Sequence, residues 1–131
     1  MFDKVDLLQK GLDASWTRNN VIMNNIANVD TPGFKSSSVG FEAEMERALA
    51  ADEISFSSKV TRPEHYRFAG DSVEDIQPSV VQNTDTSYRH DGNNVDIDYE
   101  NTELAKNTLW YDVLIEKVSS EFRKLKTVIN G

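Results

Sequence analysis

The sequence predicts a mainly α-helical chain in which long N- and C-terminal helices pair as a coiled-coil-like hairpin, with a short, acidic middle of irregular and β structure. Apolar residues at both ends recur at heptad spacing. Residues 36–100 carry 5 basic and 14 acidic side chains, whereas both ends are nearly neutral. At 131 residues the chain is one domain or less. We divide it into an N-terminal helix and turn (1–35), the acidic middle (36–100) and a C-terminal helix (101–131).

The N-terminal helix is predicted by a 3-4-3-4 spacing, and the C-terminal helix by the complementary 4-3-4-3 spacing. Each stripe has eight positions, so each helix should run for roughly 25 residues, about 38 Å. Helices of equal length at the two ends of a short chain are expected to pair, although an ordinary amphipathic hairpin in a small globule gives the same pattern. The first stripe is Val5, Leu8, Leu12, Ser15, Asn19, Ile22, Ile26 and Val29; the second is Leu104, Thr108, Tyr111, Ile115, Val118, Phe122, Leu125 and Ile129.

Further apolar residues lie outside these two stripes. Leu7, Ala14 and Val21 recur every seven residues, and Trp110 takes the equivalent position on the C-terminal helix. The other off-stripe residues are Trp16 and Met23 beside the first stripe, and Leu109, Val113, Leu114 and Val128 beside the second. A two-helix pair would leave them in water, and exposed apolar patches mark protein interfaces. We therefore expect neighbouring chains to cover them. The predicted subunit-packing residues are Val5, Leu8, Leu12, Trp16, Ile22, Ile26, Val29, Leu104, Trp110, Tyr111, Ile115, Val118, Phe122, Leu125 and Ile129.

The N-terminal helix also contains five asparagines, at positions 19, 20, 24, 25 and 28. Each costs up to about 0.7 kcal/mol relative to alanine in a helix interior. They form either a solvated polar face or amide hydrogen bonds across a packed interface.

Between the helices, turn signals punctuate the chain. Pro32-Gly33 suits the centre of a type II turn. A short amphipathic helix follows, with Phe41, Met45 and Leu49 on one face, and a strand is predicted near 54–60. Residues 91–100 are predicted to form a Gly-Asn turn and an extended segment, followed by carboxylates at a helix N-terminus. They fail as an EF-hand, because its fifth and sixth positions are Val and Asp.

Several classes of function are disfavoured. A net charge of −8 argues against nucleic-acid binding. The sequence contains no run of about 18 apolar residues, so we do not expect direct membrane insertion. The chain has no cysteine and two isolated histidines, without a catalytic motif, so we expect neither an enzyme nor a cofactor or metal. The alternative class left open is a coiled-coil binding module, such as a secretion chaperone or adaptor, which predicts a discrete dimer.

Two segments resemble signatures of the bacterial flagellar rod and hook proteins. NNIANVDTPGFK, at 24–35, resembles their N-terminal signature, and GNNVDIDYE, at 92–100, resembles the segment before their C-terminal helix. The short middle is similar to that of the proximal-rod members. The signature turn residues are Asn25, Asn28, Thr31, Pro32, Gly33 and Phe34.

The resemblance implies a structural subunit of the basal-body rod, required for motility. Its terminal helices would pack with copies of itself and other flagellar rod proteins into a torque-transmitting tube around an export channel. It implies further contacts with membrane-ring and rod-junction proteins. It also implies export to the periplasmic side through the flagellar type III export apparatus, without a cleaved signal peptide. Phe41 and Met45 match the spacing of the family's export-gate element, although a core-facing helix explains them equally well.

Overall fold

A computed structural model describes residues 2–43, 45–46, 76–84 and 89–130. Two long helices, α1 (Phe2–Ala27) and α2 (Ile97–Asn130), pack against each other. Between them in the chain lie two short strands, β1 (Ser37–Gly40) and β2 (Ser79–Gln82). The predicted fold class, a mainly helical chain with paired terminal helices, is confirmed.

The predicted type II turn is present, but α1 ends at Ala27, before this turn begins. The backbone N–H of Phe34 donates to the carbonyl of Thr31 at 3.3 Å, which closes a four-residue turn. Gly33 has a φ of 71°, the left-handed conformation that the third position of this turn needs and that glycine adopts without steric cost. The sequence therefore specifies this turn locally.

The start of α2 differs from the prediction. Asp96 is its N-cap, because its Oδ1 accepts the backbone N–H groups of Asp98 at 3.0 Å and Tyr99 at 3.3 Å. The helix thus begins at Ile97, inside the segment expected to be extended, and runs for 34 residues. Ile97 and Tyr99 lie on its exposed first turn, 44% and 61% accessible.

The two helices run antiparallel. A Cβ added to Gly11 would lie 3.4 Å from Leu114 Cδ1, and further along the pair Asn25 bonds to Glu100. The buried positions of α2 are Glu100, Asn107 and Leu114, at intervals of seven.

The predicted contact stripe is confirmed at Ser15 and Ile22, which are buried, but is wrong for part of α2. Thr108, Ile115 and Phe122 point outward, whereas Asn107 and Leu114, one position earlier, point inward. The missing side chain of Gly11 lets the branched end of Leu114 approach the α1 backbone closely. This close approach favours the observed rotation of α2.

The described part of the middle packs on α1. β1 and β2 pair antiparallel, with Val39 opposite Val80. Phe41 and Ile76 form a small core with Ala14 of α1, and Met45 packs against it. Ala14 was expected to need a neighbouring chain, but the middle of the same chain covers it.

The short helix predicted after Phe41 is present as a helical turn at 42–43 and 45–46, where Met45 N–H donates to Phe41 O at 2.9 Å. Its predicted continuation to Leu49 and the strand expected near 54–60 lie outside the described residues.

Candidate subunit-packing surface

Asn25 joins the end of α1 to both β1 and the start of α2. Its Nδ2 donates to the Ser37 carbonyl at 2.8 Å and to Glu100 Oε1 at 3.1 Å, and its Oδ1 accepts the Ser37 N–H at 3.0 Å. The side chain is 1% exposed. The amide therefore bonds across a packed interface, as one of the two sequence hypotheses proposed, but this interface lies within the chain.

Asn93 bonds the segment before α2 to the turn that follows α1. Its Nδ2 donates to the carbonyls of Asn28, Val29 and Thr31 at 2.9, 3.0 and 2.8 Å, and its Oδ1 accepts the Val95 N–H at 2.7 Å. It is fully buried. One side chain thus binds three carbonyls of the turn that follows α1.

Asn94 extends this bonding to the sheet. Its Oδ1 accepts the Ser36 N–H at 2.6 Å, and its Nδ2 donates to the Asn83 carbonyl at 2.8 Å. We call Asn25, Asn93 and Asn94 the asparagine junction. It connects the two sequence signatures and bonds the end of α1 to the start of α2.

Sequence analysis identified Asn25 but missed the roles of Asn93 and Asn94. The Gly-Asn turn at Gly92, which has a φ of 80°, directly precedes these two asparagines and was the local signal that the sequence offered. The signature residues Thr31, Pro32 and Gly33 are exposed, whereas Asn28 and Phe34 are half-buried. Asn28 Nδ2 donates to the Asn24 carbonyl at 2.8 Å and supports the last turn of α1.

Two carboxylates beside the junction have shifted pKa values in opposite directions. Burial raises the pKa of Glu100 above its usual value; the hydrogen bond from Asn25 opposes this, and the nearby charges of Glu103 and Asp96 add to it. Burial would also raise the pKa of Glu42, but hydrogen bonding and charge pairing with Arg18 outweigh it and hold that pKa low.

The outer faces of the paired helices are strongly apolar. Trp16 is 62% exposed, Trp110 54% and Leu109 68%, in a chain whose described core is small. Exposed apolar area of this kind is typical of a surface that another protein covers. We call this set the outer apolar surface; it consists of Trp16, Met23, Leu109, Trp110, Tyr111, Val113, Ile115, Phe122, Val128 and Ile129.

The predicted subunit-packing residues divide between this surface and the helix pair. Trp16, Trp110, Tyr111, Ile115, Phe122 and Ile129 are exposed, and Ile22 is buried within the chain. The rest are half-buried: Val5, Leu8, Leu12, Ile26, Val29, Leu104, Val118 and Leu125. Met23, Leu109, Val113 and Val128, which the sequence placed beside the stripes, are exposed as expected, whereas Leu114, placed with them, is buried against α1.

Other kinds of site find no support in the described ranges. Those residues bring no three histidine or acidic side chains together as metal ligands. In the part of the chain that the structure describes, neither long helix is apolar enough over its length to cross a membrane.

Comparison with known proteins identifies relatives along the whole chain. Residues 8–35 match the family model described as "Flagella basal body rod protein". The chain is 39% identical over 124 residues to flagellar basal body rod protein FlgB of Bacillus subtilis, covering 95% of this chain and 91% of that protein. It is 38% identical over 127 residues to FlgB of Borrelia hermsii, covering 95% and 94%. It is 25% identical over 136 residues to FlgB of Salmonella typhimurium, covering 100% and 99%.

Proposed function

The chain belongs to the FlgB family of flagellar basal body rod proteins, and we propose that, as a structural subunit of this rod, it polymerises through its two terminal helices. The observation that carries this proposal is the outer apolar surface, which the described part of the chain leaves uncovered. Packing with neighbouring subunits would bury it, and burial stabilises the assembly by about 25 cal/mol for each Å² of apolar area removed from water.

The asparagine junction prepares this surface for assembly. It ties α1, β1 and the start of α2 together through buried amides, so the exposed faces of both helices keep one relative orientation. A subunit with a set orientation loses less conformational entropy on joining a polymer than one whose helices move independently.

The proposed position is the proximal rod, on the periplasmic side of the cytoplasmic membrane. There the helices line a tube around the export channel and transmit torque, in contact with copies of the chain, other rod proteins, and membrane-ring and rod-junction proteins. The chain reaches this position through the flagellar type III export apparatus without a cleaved signal peptide. No nucleic acid and no direct membrane insertion are involved.

Phe41 and Met45 are the proposed recognition element for the export gate. In the folded chain Phe41 is 9% exposed and packs with Ala14 and Ile76, so the element would be readable only before folding. Its burial equally suits a purely structural role, and a secretion experiment described below separates the two roles.

The alternative class, a secretion chaperone or adaptor, is not favoured, because the relatives are structural rod proteins. The two classes also differ in assembly. A chaperone of this kind forms a discrete dimer, whereas a rod subunit forms polymers that do not close on themselves.

The test is to place a charge on the outer apolar surface. Trp110→Asp and Ile115→Asp should prevent incorporation into purified basal bodies and abolish swimming, while circular dichroism of the purified variants stays unchanged. Asn101→Asp, on the exposed first turns of the same helix, is the control and should assemble normally. Normal swimming by the Trp110→Asp and Ile115→Asp strains would contradict the proposal.

A further inference from the structure

The C-terminal end of α2 projects past α1. Gly11 of α1 lies against Leu114 of α2, and the helices run antiparallel. Nine residues before Gly11 and nine residues after Leu114, Phe2 is therefore level with Arg123. Residues 124–130, which we call the C-terminal tip, therefore continue for about 10 Å beyond the start of α1. Within the tip, Val128 is 74% exposed and Ile129 80% exposed.

The opposite end of the helix pair contains a groove of about 980 Å³ beside the asparagine junction. Two turns of helix about 10 Å wide occupy on the order of 850 Å³, so the groove is large enough for such a segment. Its apolar lining includes Val21, Val29 and Tyr99, and the last of these is 61% exposed. We call it the junction groove.

The groove and the tip carry opposite charge. Four carboxylates line the groove against two guanidinium groups. Both guanidinium groups are paired, Arg18 with Glu42 and Arg89 with Asp91 at 3.3 Å, and the carboxylate of Glu103 pairs with Lys106 at 2.7 Å on the exposed face of α2. In contrast, α2 from Glu121 onward carries three basic side chains and one acidic one. One lysine of that segment, Lys124, pairs with Glu121 at 2.6 Å, which leaves Arg123 and Lys126 as the excess positive charge.

We propose that the C-terminal tip of one copy docks in the junction groove of a second copy. Val128 and Ile129 would cover the apolar wall near Tyr99. Lys126, with Arg123 just before the tip, would face the carboxylates of Asp96 and Glu103, and at Glu103 it would compete with Lys106. Because the two contacting surfaces lie at opposite ends of the subunit, the contact is head-to-tail and can repeat without closing. The inference rests on the proposed function as a polymerising rod subunit and adds a direction to that polymer.

The chain has no cysteine, so single cysteine variants test the contact directly in the full-length protein. Tyr99→Cys and Ile129→Cys are mixed in equal amounts under mild oxidation, and mixed disulfide dimers are quantified by mass spectrometry. Docking holds the two thiols together at a raised effective concentration, so the mixed dimer should form about tenfold faster than in the control. The control pairs Ile129→Cys with Leu109→Cys, which is 68% exposed in mid-helix and far from the groove.

A charge exchange provides the second arm. Lys126→Glu in the Ile129→Cys chain should reduce mixed-dimer formation to the control rate, and Glu103→Lys in the Tyr99→Cys chain should restore it. Lys117→Glu, an exposed reversal outside the tip, should change nothing. Mixed-dimer formation at the control rate without any charge change would overturn the head-to-tail contact. If Trp110→Asp still abolishes assembly in that case, the rod function stands and only the proposed direction of docking falls.

Discussion

Ser15 and Asn107 form a reciprocal pair of buried hydrogen bonds between the two long helices. Ser15 Oγ donates to Asn107 Oδ1 at 3.0 Å, and Asn107 Nδ2 donates back to the Ser15 carbonyl at 2.9 Å. Both residues are at most 4% exposed. A polar pair in such a position favours one register, because sliding or rotating either helix would leave buried donors and acceptors unpaired.

Alanine substitutions at Ser15 and Asn107 should be strongly non-additive. Either single change removes the shared hydrogen bond, so the double variant should lose less stability than the sum by about 1 kcal/mol. Urea unfolding followed by circular dichroism measures the three values. Thr17 and Thr108 bond only to carbonyls within their own helices, so Thr17→Ala and Thr108→Ala are the control pair and should add. Additive losses at Ser15 and Asn107 would refute their coupling.

Asn93→Asp, which keeps the shape of the side chain, should lower the free energy of unfolding more than Asn93→Ala. Asn93→Ala removes the donor to three carbonyls and should cost about 1–3 kcal/mol. Asn93→Asp places a buried carboxylate against those same carbonyl oxygens and should cost at least about 3 kcal/mol. Urea unfolding gives the order, with the exposed Asn101→Asp as the control for the same chemical change. Greater stability of Asn93→Asp than of Asn93→Ala would disprove the donor role of this amide.

The raised pKa of Glu100 predicts a pH-dependent effect of Glu100→Gln. A carboxyl whose pKa is higher in the folded than in the unfolded chain destabilises the fold progressively as pH rises from its usual value of 4.5 through the folded value. The substituted glutamine stays neutral, and its side-chain carbonyl can still accept the Asn25 N–H. Glu100→Gln should therefore unfold at a higher temperature than the parent at pH 7.5, with that gain reduced at pH 4.0.

Circular dichroism melts at these two values avoid the isoelectric region near pH 4.7. Glu116→Gln, on the exposed side of α2, is the matched control for the same chemical change. An equal shift at both pH values for Glu100→Gln would show that burial does not set its ionisation.

A comparison of Phe41→Ala with Ile76→Ala distinguishes a role of Phe41 in export from its role in the folded core. Both belong to the small core with Ala14, so Phe41→Ala and Ile76→Ala should each destabilise the folded chain by about 2–5 kcal/mol. Export of an unfolded chain depends on sequence rather than on that core. Only Phe41→Ala should therefore reduce the amount of chain secreted into the medium of cells that cannot complete the rod. Equal secretion of the two variants would leave Phe41 with a structural role alone.

The sequence alone predicted the structural elements that depend only on residues near one another in the chain. Heptad spacing identified both long helices, and Pro32-Gly33 identified the turn that follows α1, because these depend on backbone preference and side-chain periodicity. The exposed tryptophans also followed from the sequence, since one helix pair cannot bury two apolar stripes on each helix.

The tertiary structure decided which face of α2 meets α1. Apolar periodicity selected the stripe containing Ile115, whereas the buried positions of α2 are Glu100, Asn107 and Leu114, two of which are polar. The buried face is set by contacts distant in sequence: the space above Gly11, the Ser15–Asn107 bonds, and the bond from Asn25 to Glu100. Heptad spacing states which residues share a face, whereas the fit between two particular surfaces selects the face that is buried.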